Sequence, residues 1–148
     1  MQNRPSGGTH RAVANHLGFS LGSTGVLTVG SACGGAGVIS SSGDFRLGST
    51  NFAVNLQGAP AGSLPFLALG FPGGESTCGA CTFVNAASYS YVPLNGSAAT
   101  WQWLLPTNPS FVGTVVGSQW LLLQTVSTAC SNVPGLAATA RLHMALGL

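Results

Sequence analysis

The 148-residue chain is long enough for one packed domain and has 45% apolar residues to fill a core, yet only 4% of it is charged, against about 25% in ordinary soluble domains. Its formal charge of +2 is spread over Arg4, Arg11, Arg46, Arg141, Asp44 and Glu75, with no lysine, which excludes the basic footprint of a nucleic-acid or anionic-membrane binder. High apolar content argues for folding rather than disorder, and no apolar run approaches the roughly 20 residues that span a bilayer.

In chain order, residues 1–30 stand apart: they hold two of the four arginines, two of the three histidines (His10 and His16) and no acid. Residues 11–17 could make a helical turn or two before Gly18, Gly22, Gly25 and Gly30 break any longer helix. This stretch reads as an N-terminal arm leading into a first strand, Val26 to Val29, and residues 31–148 as the module proper. The opening residues, Met1 to His10, are polar with no apolar run behind them, so an exported chain is expected to be a mature form.

From Cys33 onward, short β-prone runs alternate with turn chemistry. Residues 51–57 put Phe52, Val54 and Leu56 on one face, and Gly58 to Gly62 make a turn. Pro65 to Gly70 is a short apolar run that Phe71 to Gly74 should close. Cys81 to Asn85 and Tyr89 to Val92 read as two further strands. Ala99, Trp101, Trp103 and Leu105 share a face of the next. Val115 to Val126 is apolar on both faces around Trp120 to Leu123, as a central strand would be. The last run points Ala138, Ala140, Leu142, Met144 and Leu146 inward and Thr139, Arg141 and His143 outward. About eight strands with Gly or Pro at nearly every boundary, and no helical periodicity, predict an all-β antiparallel sandwich of jelly-roll or immunoglobulin-like type.

Four cysteines, Cys33, Cys78, Cys81 and Cys130, read as a disulfide framework in which three connectivities are open. The Cys78–Cys81 pair could instead be a zinc or redox CxxC. A second CxxC or a paired histidine motif is missing for zinc, and a βαβ context and a lysine are missing for redox chemistry. Disulfides, and with them a secreted or cell-surface location, are the expectation.

The ordered set of motifs resembles a β module common in secreted proteins of planctomycetes and related deltaproteobacteria. The resemblance runs from the glycine-flanked Cys33 (residues 30–37) through residues 47–56, 58–62 and 65–70. It continues through Gly79 to Val84, the Pro106–Pro109 turn, Gly113 and Ser118 to Trp120. It covers about residues 30–148 and carries no catalytic residues. It implies a β-sandwich of an extracellular protein in which a cysteine near the start pairs with one in a later strand. Here that would be Cys33 with Cys81, leaving Cys78 and Cys130 for a second bridge.

Chemistry is sparse. Asp44 and Glu75 are the only carboxylates. They read as solvated loop charges, Asp44 pairing with Arg46, rather than as a glycosidase pair. His143 reads as an exposed polar residue, and no serine lies in a nucleophile elbow. Gly34 to Gly37 lacks the helix and lysine of a phosphate loop. Asn95-Gly96-Ser97 fits a glycosylation sequon, but Asn-Gly is also a hairpin-turn signature, the preferred reading.

Tyr89, Tyr91, Trp101, Trp103 and Trp120 are the candidate ligand-facing aromatics, although Trp101 and Trp103, two residues apart, could simply fill the core. The sequence therefore predicts a non-enzymatic module without metal or cofactor, without nucleic-acid partner or membrane insertion. It would be a self-associating structural subunit, with carbohydrate binding as the alternative.

Overall fold

The computed structural model describes residues 25–125, 127–130 and 132–148. The arm expected over residues 1–24, with its helical turn at 11–17, lies outside the described residues. Eight strands form two antiparallel sheets: β1 (Val26–Val29), β2 (Val38–Ser42), β3 (Phe52–Gln57), β4 (Leu64–Cys78), β5 (Cys81–Tyr91), β6 (Ala99–Trp103), β7 (Val115–Leu123) and β8 (Leu136–Ala145). One 3-10 turn, Pro109–Phe111, precedes β7. The five-stranded sheet has the order β1-β8-β7-β4-β5 and faces a three-stranded sheet, β2-β3-β6. The all-β sandwich expected from the sequence is present, split five and three, with the first and last strands as neighbours.

The core between the sheets follows from period-2 alternation. Phe52, Val54 and Leu56 of β3, Leu67 of β4, Trp120 and Leu122 of β7, and Leu142 and Met144 of β8 are all buried there. As expected of a central strand, β7 is the third of five.

Four local readings need correction. β2 was not foreseen, because its serine-rich run carries one buried apolar side chain, Ile39. Phe71 to Gly74 does not close β4, which continues to Cys78 through a register shift. Cys81–Asn85 and Tyr89–Val92 are not two strands but one long strand, β5, kinked where Leu69 pairs with Ser88 and Gly70 with Ala86. In β8, Thr139 and Ala140 together face Trp120, a β-bulge. The extra residue reverses the alternation, so Ala138 belongs to the second apolar cluster and Thr139 is fully buried rather than outward. The Thr139 hydroxyl accepts the Trp120 N–H at 3.1 Å and donates to the Ala140 carbonyl at 2.7 Å, standing in for ladder bonds the bulge interrupts.

Beyond Gly70 the β4–β5 hairpin leaves β7 and folds back over the outer face of the large sheet. The sheet makes room by lacking side chains there. Gly70 and Gly117 are cross-strand partners. A Cβ on Gly70 would overlap the Asn85 carbonyl oxygen, and one on Gly117 would press on Val84 Cγ2 at 2.7 Å. Both positions need glycine because another strand crosses them, not because of their own backbone angles.

Disulfides join Cys33 to Cys81 and Cys78 to Cys130, the pairs implied by the resemblance, closing sequence separations of 48 and 52 residues. With Ala138, Leu121, Phe83 and Leu136 they form a second, smaller apolar cluster under the hairpin. Bridges of this span stabilise by about 2–4 kcal/mol each, chiefly by restricting the unfolded chain. Two disulfides suit an oxidising environment of the extracellular kind. Among the described residues no helix is long and apolar enough to cross a membrane.

The polar fastener of the hairpin is Gln119. Its side chain, 1% exposed, accepts the Val84 N–H at 3.0 Å and donates to the carbonyls of Thr82 and Thr139, both at 2.8 Å. One carboxamide on β7 thus ties together β5 and β8, which do not pair with each other. Replacing Gln119 by Ala should cost about 3 kcal/mol, since buried backbone groups lose their partners, and denaturant titration measures it. Gly70→Ala should destabilise by about 3 kcal/mol through backbone overlap, read by the same titration.

Candidate functional site

The residues with chemical potential fall into three places. Asp44 and Arg46 sit on the β2–β3 loop and pair at 3.4 Å, as expected, with the Arg46 side chain exposed and the Asp44 side chain partly so. They border a polar hollow lined otherwise by Leu47 to Asn51. A screened pair of this kind contributes little.

Glu75 and His143 correct the sequence reading. Glu75 is not a loop charge: it lies within β4, in the four residues between the Phe71 and Ser76 pairings. His143 is not an exposed polar residue but is half-covered on the outer face of β8. The folded-back hairpin brings them together. Glu75 Oε2 lies 3.5 Å from Arg141 and 3.8 Å from His143 Nε2, and it accepts the Gly73 N–H at 2.9 Å.

Backbone N–H groups of Gly73 and Glu75 hold the Glu75 carboxyl below its ordinary range, with Arg141 and His143 adding to the effect against a smaller opposing cost of burial. Burial, then repulsion from Arg141, lowers the His143 pKa, with Glu75 pulling the other way. The group is a carboxylate paired with one cation, Arg141, with the His143 imidazole beside it, and the contact joins the hairpin to β8. Among the described residues no three potential metal ligands come together.

The aromatics separate by sheet. Trp120 is fully buried in the core. Trp101 and Trp103 are half-covered, project from β6 toward the core, and Trp103 packs against Phe45 at 5.7 Å and Phe52 at 6.4 Å between ring centroids. Tyr89 and Tyr91 are exposed, 62% and 52%, and Tyr91 meets Phe66 of β4 at 5.5 Å. Of the five aromatics singled out in the sequence, only these two face solvent in a row. The hairpin reading of Asn95 holds: Asn95 and Ala98 exchange both backbone hydrogen bonds across Gly96 and Ser97.

The third place was not legible in the sequence beyond Trp103. A three-stranded sheet cannot cover a five-stranded one, and apolar surface is left around the end of β6, beside the start of β7 and the middle of β4 and β5. Two apolar hollows meet there at Trp103 and Val116. One, about 190 Å³, is lined by Phe45, Leu105, Pro106, Phe111 and Leu146 as well. The other, about 160 Å³, adds Leu69, Phe71, Ala87 and Ser88. Neither lining contains a charged residue. The hollows flank the end of β6, which pairs with β3 on one side only. Sheet width is a property of strand order, which leaves no local signature in the sequence.

The fold and this strip define a disulfide-stapled β-sandwich with an uncharged, apolar flank. No family model, curated protein or solved structure matches the chain.

The clasp makes stability pH-dependent. With pKa values lowered in the folded state, both groups bind fewer protons folded than unfolded as pH falls, so the folded state loses stability in acid. His143 contributes its loss as pH drops below its unfolded value near 6.5, and Glu75 as pH drops below its unfolded value near 4.5. The stability contributed by both is fully present above pH 6.5. Thermal melts across this range should show His143→Gln flattening the upper part of the decline and Glu75→Gln the lower part. In Glu75→Gln, the His143 imidazole should titrate lower still by NMR, having lost its counter-charge.

Proposed function

We propose that this chain is a non-catalytic, secreted structural module that associates with copies of itself, as a subunit of a bacterial surface, matrix or filament. The observation that carries this reading is the five-on-three mismatch: apolar surface around Trp103 lies beside an uncharged strand edge that is unpaired among the described residues. Monomeric proteins protect such edges with charges, prolines or bulges. β6 has none of these, its register with β3 being continuous over Ala99 to Trp103. A chain with only 4% charged residues also offers little like-charge repulsion to keep copies apart.

The disulfides suit export, and the resemblance to the β module of secreted planctomycete and deltaproteobacterial proteins points to the same setting. The non-catalytic part of the reading is supported by the engagement of Glu75, His143 and Arg141 with one another across the hairpin.

Native mass spectrometry of the disulfide-intact chain tests the reading directly. Oligomers that persist on dilution are expected, and a monomer at every concentration would overturn it.

A second reading, carbohydrate binding, is favoured by the exposed Tyr89–Tyr91 row beside Phe66. Exposed aromatic faces on a flat sheet are suited to stacking on sugar rings. If it holds, pull-down on insoluble polysaccharides retains the wild-type chain, and Tyr89→Ala with Tyr91→Ala weakens retention at least tenfold. Equal retention of both proteins excludes it.

A further inference from the structure

We infer that Asn95 is a self-modification site: in the folded chain its carboxamide cyclises onto the Gly96 amide nitrogen and opens to an aspartyl or isoaspartyl residue. The inference goes beyond the self-association reading and stands or falls independently of it.

The site is the tight turn between β5 and β6. The Asn95 N–H donates to the Ala98 carbonyl at 2.7 Å, the Ala98 N–H returns to the Asn95 carbonyl at 3.2 Å, and the Ser97 carbonyl accepts the Ala59 N–H at 2.9 Å. These bonds hold the turn by its first, third and fourth residues. They engage neither the Asn95 carboxamide nor the Gly96 N–H, so cyclisation breaks no hydrogen bond of the described residues. Asn95, Gly96 and Ser97 are exposed, and a Cβ placed on Gly96 would meet nothing within 4 Å. With φ at +68°, Gly96 also holds backbone that suits a residue without a side chain, which leaves its nitrogen open on both sides.

Asparagine is thermolabile in general, but the other asparagines of the described residues each lack one of these conditions. Asn108 precedes Pro109, which has no amide hydrogen to lose. Asn132 precedes β-branched Val133, whose N–H donates to the Cys130 carbonyl at 3.3 Å. Asn51 Oδ1 accepts the Ser49 hydroxyl, and the Asn55 carboxamide bonds Ser42 and Thr100. Asn85 and Ala86 are both paired with β4.

The reaction needs only water. The Gly96 nitrogen gives its proton to base and bonds to Asn95 Cγ; the Cγ–Nδ2 bond breaks, and the nitrogen takes up a proton and leaves as ammonia. Water then opens the cyclic imide at either carbonyl. Opening at Cγ gives aspartate on the original backbone. Opening at the main-chain carbonyl gives isoaspartate, in which the chain runs through Cβ and Cγ. Either product lowers the formal charge of +2 by one and adds a carboxylate to a chain that has two. Isoaspartate also lengthens the main chain inside a turn whose ends are closed by two hydrogen bonds, so the Asn95–Ala98 pairing loosens.

Incubating the full, disulfide-intact chain in buffer tests this, with ammonia release followed and peptide mapping by mass spectrometry assigning the converted residue. Labelling by an isoaspartyl methyltransferase separates isoaspartate from aspartate. The reduced, denatured chain and Asn95→Gln, whose longer side chain closes a larger and slower-forming ring, are run beside it. Under the inference Asn95 converts before any other asparagine, with isoaspartate among the products. Conversion is faster in mildly alkaline than in mildly acidic buffer, because the nitrogen attacks without its proton. The folded chain converts at a rate comparable to the denatured one, and Asn95→Gln releases little ammonia over the same time. If the folded chain keeps the Asn95 amide while the denatured chain loses it, or if Asn95→Gln releases ammonia as fast as the wild type, the inference is wrong. Neither result touches the self-association reading, which native mass spectrometry decides.

Discussion

Everything on the outer face of the large sheet depends on the β4–β5 hairpin folding back across it, and beneath that hairpin lies one fully bonded carboxamide. Gln119 binds Thr82 and Val84 of β5 and Thr139 of β8 from its place on β7. A buried polar side chain of this kind is tolerable only when it is fully bonded. Around it the apolar cluster of Cys33, Cys81, Cys130 and Ala138 and the Glu75 clasp add independent fastenings. Gly70 and Gly117 are the steric permission for the crossing. The large sheet is thereby covered on both faces over part of its area, on one by the small sheet and on the other by its own hairpin.

The fold-back has a consequence for the opposite flank. A hairpin used to cover the outside is unavailable to widen the small sheet, which stops at three strands. The core is complete over β8, β7 and β4, where Trp120, Leu122, Leu142 and Met144 are buried. It thins toward β5, where Phe71 of β4 and Ser88 of β5 remain exposed. Trp103 stands at that boundary, packed on Phe45 and Phe52 on one side and bordering open apolar hollows on the other. Its half-covered state is the local expression of two sheets of unequal width.

The few charges gain significance from their scarcity. Four of the six lie in the described residues, and they form two small groups: Asp44 with Arg46 on a loop, and Glu75 with Arg141 under the hairpin. The first is a solvated pair of little energetic weight. The second, joined by His143, is partly shielded and ties the sheet's last strand to the folded-back hairpin, so its protonation state is coupled to that contact. No side chain of either group lines the apolar hollows.

The sequence by itself determined what depends on local pattern. Alternation in residues 51–57 and, within residues 115–126, apolarity on both faces around Trp120 to Leu123 marked β3 and the central β7, which ends at Leu123, because side-chain period and burial are read off neighbouring residues. Gly and Pro punctuation with four cysteines fixed a disulfide-bearing β class. Only the tertiary structure decided what depends on residues far apart in the chain. The β8 bulge moved Ala138 and Thr139 off their expected faces because Trp120 of β7 meets two residues there. Pro72 to Gly74 carried a strand onward rather than ending it, because a crossing over Gly70 and Gly117 received it. Glu75 met Arg141 and His143 for the same reason. The five-and-three division, and so the exposed flank at Trp103, came from which strands chose each other as neighbours, a long-range pairing that no window of sequence encodes.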